Sequence, residues 1–123
     1  MNAEELIIDY LSNNNELLKS EYKVAQHPLA GHCYVATETL YHVLGEKESD
    51  YTPCHVSHEG TTHWFLRHDG SGEIIDLTAD QFNAIPPYKD GKGCGFQKSP
   101  SQRTRTVLSY LEGKNIPIKS PSW

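Results

Sequence analysis

The apolar residues of this chain recur with a helical period at first, alternate in the middle, and return to the helical period near the end. Leu6, Ile7, Tyr10 and Leu11 form one helical stripe, started by Asn2 with Glu5 three residues later as a capping pair. The run Asn13-Asn14-Asn15 ends or kinks this helix, and Leu17, Leu18 and Tyr22 continue as a shorter helical piece. Cys33, Ala36, Leu40, Val43 and Leu44 make a second stripe, with Gly45 as its stop. Pro28 and Gly31 break any earlier periodicity, so this helix begins within a residue or two of Cys33. Glu46 to Asp50 reads as a charged connector.

From Tyr51 the pattern becomes that of strands. Pro53–His58 alternates weakly, Thr62–His68 is strong strand material, and Glu73–Thr78 is another strand. Asp69-Gly70 between the last two is a hairpin signal. Asp90 to Phe96 is rich in glycine and reads equally as a flap over a ligand or a plain connector; it lacks the spacing of a phosphate loop. Ser99-Pro100-Ser101-Gln102 resembles a capping box with proline at the first helical position. A helix to about Leu111 follows, with Thr104, Val107, Leu108 and Leu111 inward and Gly113 as its stop. Arg103 and Arg105 belong to a solvated face, and Asn115–Trp123 is irregular. The expected fold class is α+β, with the helix of Cys33 packed on a small antiparallel sheet.

A chain of 123 residues makes a single domain spanning 1–123. The net charge of −5 argues against a protein built to hold nucleic acid or an anionic membrane. No apolar run approaches the length of a membrane span, and Met-Asn-Ala-Glu-Glu is acidic where a signal peptide is basic. Cys33, Cys54 and Cys94 are an odd number without a C-x-x-C pair, which points to a reduced, cytoplasmic setting.

Cys33 is set apart by its place. A thiol at a helix start sits among free backbone N–H groups at the positive end of the dipole, which favours the thiolate. Cys54 lies in a short strand with polar neighbours, where no cluster of free N–H groups is expected, and Cys94 lies in a glycine-rich loop without a fixed base. A two-residue Asp69-Gly70 turn pairs His68 with Ser71 and, further down the ladder, His63 with Asp76. A four-residue turn slips that pairing by two yet keeps both side chains on one face; only an odd-length loop separates them. A carboxylate holding one imidazole nitrogen leaves the other free to meet a nucleophile.

Cys33, His63 and Asp76 are thus a nucleophile, a base and an orienting group in chain order. Gly31-His32-Cys33-Tyr34 resembles the Gly-x-Cys-aromatic motif of the transglutaminase-like and papain-like cysteine enzymes. His63-Trp64-Phe65-Leu66 resembles their His-x-Trp strand, and Ile75-Asp76-Leu77-Thr78 their Asp-Pro-Thr strand, with Leu77 in the place of proline. The likeness runs from about Gly31 to Thr78. It implies a papain-like fold, a Cys33–His63–Asp76 triad and no cofactor, with Tyr34 and Trp64 at the substrate.

The chemistry expected of these groups is acyl transfer through a thioester. The backbone N–H of Cys33 is one oxyanion donor and the other is expected from the His27–His32 loop; Gln26 or His32 could contribute a side chain. The leading reading is a thiol hydrolase acting on a peptide, protein or small amide; the alternatives are a transglutaminase-type transferase or deamidase, and a non-enzymatic binding or inhibitor protein on the same scaffold. Cys54, His55, His58 and His63 are the densest set of potential zinc ligands, but alternation along the strand splits neighbours between faces. No metal site is assigned.

Overall fold

A computed structural model describes residues 2–14, 32–94 and 100–118. Among these residues the fold is α+β: helices α1 (Ala3–Ser12), α2 (Cys33–Leu44) and α3 (Gln102–Gly113), with a four-stranded antiparallel sheet. The strands are β1 (Tyr51–His58), β2 (Thr61–His68), β3 (Ile74–Ile75) and β4 (Lys92–Gly93), in the order β3-β2-β1-β4. The expected helical piece around Leu17, Leu18 and Tyr22, and the irregular tail beyond Ile118, lie outside the described residues.

The helix boundaries follow local chemistry. At α1 the amide of Glu5 donates to the Asn2 side chain at 2.8 Å, and the Asn2 amide donates back to Glu5. Helix α2 starts at Cys33 and stops at Gly45, whose φ of 107° is left-handed and suits a residue without Cβ. Helix α3 corrects the expected cap: Ser101 is the N-cap, accepting from the Thr104 amide, and Pro100 precedes it. Glu46–Ser49, expected as a plain connector, is a turn of 3-10 helix.

The hairpin after β2 is also a correction. His68 N–H bonds the Glu73 carbonyl at 2.8 Å, so the loop is the four residues Asp69–Gly72, and Leu66 faces Ile75. The reason lies in the side chains of the turn. His68 Nδ1 accepts from the amides of Gly70 and Ser71, and Asp69 is drawn toward the other strand by Thr52 Oγ1 and the Asp50 carbonyl. These bonds satisfy a wider loop than Asp-Gly alone needs, and Gly72 takes the positive φ of 77°. The expected Glu73–Thr78 strand shortens to Ile74–Ile75 because Asp76 turns the chain, its Oδ1 accepting from the Thr78 amide.

Two cores lie on opposite faces of the sheet. Leu6, Ile7 and Leu11 of α1, Val35, Ala36, Leu40 and Val43 of α2, and Val107, Leu108 and Leu111 of α3 pack with Leu66. Cys54, Val56 and Phe65 form the second core, flanked by Ile74 and Tyr88. Helix α2 contacts α1, α3, β1 and β2 together. It is therefore buried nearly all round, Thr37, Glu38, Thr39 and His42 included, although its sequence suggested a single apolar stripe. Burial of those groups requires partners. Glu38 accepts from the Ser101 amide (3.0 Å), Ser101 Oγ (2.9 Å) and Tyr34 OH (3.1 Å), and His42 pairs with Glu46 at 2.8 Å. No described helix is long and apolar enough to cross a membrane.

Candidate functional site

The early end of β3 shapes the site. Its ladder reaches only Leu66 and Arg67 of β2, so no described strand covers the outer edge of β2 from Thr61 to Phe65. Cys33, the first residue of α2, reaches that edge, and its Sγ donates to the Thr62 carbonyl at 3.6 Å. The first intrahelical bond of α2 runs from Ala36 N–H to His32 O, so the amides of Cys33, Tyr34 and Val35 have no acceptor within the helix.

His63 stands on the face of β2 opposite Leu66, in register with Val56 of β1. The slipped register moves Asp76 off the direct cross-strand position but keeps it on the side of His63, and the turn after Ile75 swings its carboxylate in. His63 Nε2 and Asp76 Oδ2 are 2.6 Å apart, with the imidazole fully buried and the carboxylate 4 % exposed. Phe82 packs edge-on against the ring at 4.7 Å, and Phe65 stacks beside it. Nδ1 is buried and has no partner of hydrogen-bonding geometry among the described residues. The Cys33 sulfur lies close enough to the imidazole to favour its protonated form. Burial works against the imidazolium, but the hydrogen bond to Asp76, the nearness of Cys33 and the carboxylate charge of Asp76 outweigh it. His63 is pushed from 6.5 up to about 9.

Asp76 is held by more than histidine. Oδ2 also accepts from Tyr88 OH at 2.8 Å, while Oδ1 takes the Thr78 amide at 3.2 Å. Burial first, and then the bond to Asp76, push the Tyr88 hydroxyl well above the usual phenol range, so it is a neutral donor. Tyr88, Phe82 and the Thr62 carbonyl are site groups that sequence reasoning missed. Tyr88 lies 12 residues after Asp76, at the start of a single 3-10 turn (Tyr88–Asp90), and no local periodicity marks it.

The other expected site residues divide. Tyr34 and Trp64 meet edge to face at 5.2 Å beside Cys33, and His55 joins them at 5.1 Å from Trp64. Tyr34 OH is committed to Glu38, and burial with that carboxylate raises it to about 12. His32 occupies the N-cap of α2 with its ring fully buried and makes no capping bond through its side chain. Gln26 lies outside the described residues. Cys54 is buried, with its thiol raised by burial and donating to the Thr52 carbonyl, while Cys94 is exposed. Of the glycine-rich stretch, Lys92–Gly93 is a strand paired to Cys54 and His55, and Cys94 N–H bonds the Pro53 carbonyl. The candidate zinc set is dispersed: Cys54 and His55 alternate along β1, His58 bonds the Ala84 carbonyl, and His63 is held by Asp76. No three His, Cys, Asp or Glu residues are grouped to hold a metal ion among the described residues.

Comparison with protein-family models, with curated proteins and with solved structures returns no match for this chain.

Proposed function

We propose that this chain is a cysteine-nucleophile acyl-transfer enzyme of the transglutaminase-like and papain-like kind, acting as a thiol hydrolase on an amide or isopeptide bond. The observation that carries the reading is the buried His63–Asp76 bond of 2.6 Å with the thiol of a helix-start cysteine beside the same ring. In this reading Asp76 fixes the proton on Nε2 and leaves Nδ1 to exchange a proton with Cys33. The Cys33 proton passes from Thr62 O to Nδ1, giving a thiolate–imidazolium pair that the raised His63 pKa favours, and the thiolate of that pair attacks the acyl carbon. The tetrahedral oxyanion collapses to a thioester as Nδ1–H protonates the departing amine. Water then gives a proton to Nδ1 and attacks the thioester, releasing the acid and restoring Cys33–SH.

The amide of Cys33, unpaired within the helix, suits the oxyanion; one such donor supplies about 3–4 kcal/mol in comparable sites. The fully enclosed His32 suits packing against the helix start better than contact with a substrate oxygen. Intact mass after exposure to an acyl-type electrophile near pH 7 tests the reading. One adduct on Cys33, absent in Cys33→Ser and kept in Cys54→Ser/Cys94→Ser, is expected. A Cys33 that reacts no faster than an unperturbed thiol would place the chain among non-enzymatic scaffolds.

A further inference from the structure

We propose that Tyr88 is a positioning residue of this site, its hydroxyl locking the Asp76 carboxylate in the orientation that holds His63; the inference rests on the acyl-transfer reading above. Asp76 Oδ2 accepts from both His63 Nε2 (2.6 Å) and Tyr88 OH (2.8 Å), and Oδ1 from the Thr78 amide (3.2 Å). Three donors on one nearly enclosed carboxylate leave it no free rotation. Without the hydroxyl, one side of Oδ2 faces a buried space unpaired, and the group must turn or admit water to satisfy it.

The protein invests several contacts in the placing of Tyr88. His63, Phe65 and Arg67 alternate on one face of β2. Phe65 packs edge to face on the Tyr88 ring at 5.0 Å. Arg67 donates to the Tyr88 carbonyl and, at 3.5 Å, to that of Gly91. Gly91 lets the chain press against Phe65, since a Cβ there would stand 2.5 Å from the Phe65 ring. One strand face thus supplies the base, the platform for the tyrosine ring and the clamp on its backbone. The span from Ala79 to Gly91 is also fastened near its middle, where Glu59 accepts from the amides of Asn83 and Ala84.

The test is Tyr88→Phe, which keeps the ring on Phe65 and removes only the hydroxyl, in the full chain carrying Cys54→Ser and Cys94→Ser. Two readouts are taken: the proton NMR resonance of His63 Nε2–H, and the rate of Cys33 alkylation by iodoacetamide at pH 7. Expected are a resonance broadened or lost to exchange with water and an alkylation rate about tenfold lower, the equivalent of about 1.4 kcal/mol. Gly91→Ala, which displaces the Tyr88 segment without touching the hydroxyl, should move both readouts the same way. A Tyr88→Phe protein with an unchanged resonance and a rate within twofold of its parent overturns the proposal. If Tyr88→Phe fails to fold, the same two readouts on Gly91→Ala decide. Because the resonance reports on the His63–Asp76 bond itself, an unreactive Cys33 in the parent would refute the enzymatic reading and leave Tyr88 still testable.

Discussion

His63 is raised by two neighbours of different kinds, and substitution separates them. Asp76→Asn removes the accepting carboxylate and its charge, leaving burial to act with less opposition, so the His63 pKa falls from about 9 toward or below 6.5. Turnover should drop on the order of a thousandfold or more, because an amide can hold the wrong tautomer and cannot stabilise imidazolium. Cys33→Ser removes only the influence of the sulfur and should lower the same pKa by less, since the hydrogen bond to Asp76 is the larger raising cause. An NMR titration of His63 in the three proteins reads both effects; equal values in wild type and Asp76→Asn would mean that the carboxylate does not govern the ring. On the proposed acyl-transfer reading, the alkaline limb of kcat/KM should follow His63, with activity declining as pH rises through about 9 as the imidazolium is lost.

At the scale of elements, the two ends of the site depend on how neighbouring segments terminate. Strand β3 stops after two residues because Asp76 uses its own side chain to turn the backbone, and the gap so left on β2 admits Cys33. Helix α2 is tied to the start of α3 by Glu38, whose carboxylate takes both the amide and the hydroxyl of Ser101 and the hydroxyl of Tyr34. Ser101→Ala removes the N-cap of α3 and one partner of a buried carboxylate. It should cost about 1–2 kcal/mol in urea unfolding, with reactivity at Cys33 kept. A loss below about 0.3 kcal/mol would show that the amide bond to Glu38 suffices.

For the molecule as a whole, stability and site share a titration. The folded-state pKa of His63 is raised, so the stabilisation it brings is fully present below about 6.5 and is lost as pH rises to about 9, on the order of 3 kcal/mol. Tm should therefore fall across that window in the wild type and fall less in Asp76→Asn; parallel curves would exclude His63 as the source. The three-helix side carries the larger apolar core. Leu11, fully buried between α1 and its neighbours, should cost about 2–5 kcal/mol as Leu11→Ala without altering the His63 titration, as expected for a site built on the opposite face of the sheet.

What the sequence determined by itself is what nearest neighbours along the chain decide. The Asn2–Glu5 cap, the span of α2 from Cys33 to Gly45, strand β2 and the inward face of α3 follow from side chains acting within a turn or two of their own backbone. The pairing of His63 with Asp76 was legible for a related reason: an even change in loop length preserves the face of a strand, so a register slipped by two still brings the side chains together. Tertiary structure decided the rest. Whether Asp69-Gly70 closes a two- or a four-residue loop depends on Thr52 and Asp50 from another strand. The burial of Glu38 and His42 depends on α1, α3 and the sheet closing round α2. Tyr88 reaches Asp76 only because Arg67 and Phe65 hold its short 3-10 turn against β2, contacts between residues far apart in the chain that leave no local mark in the sequence.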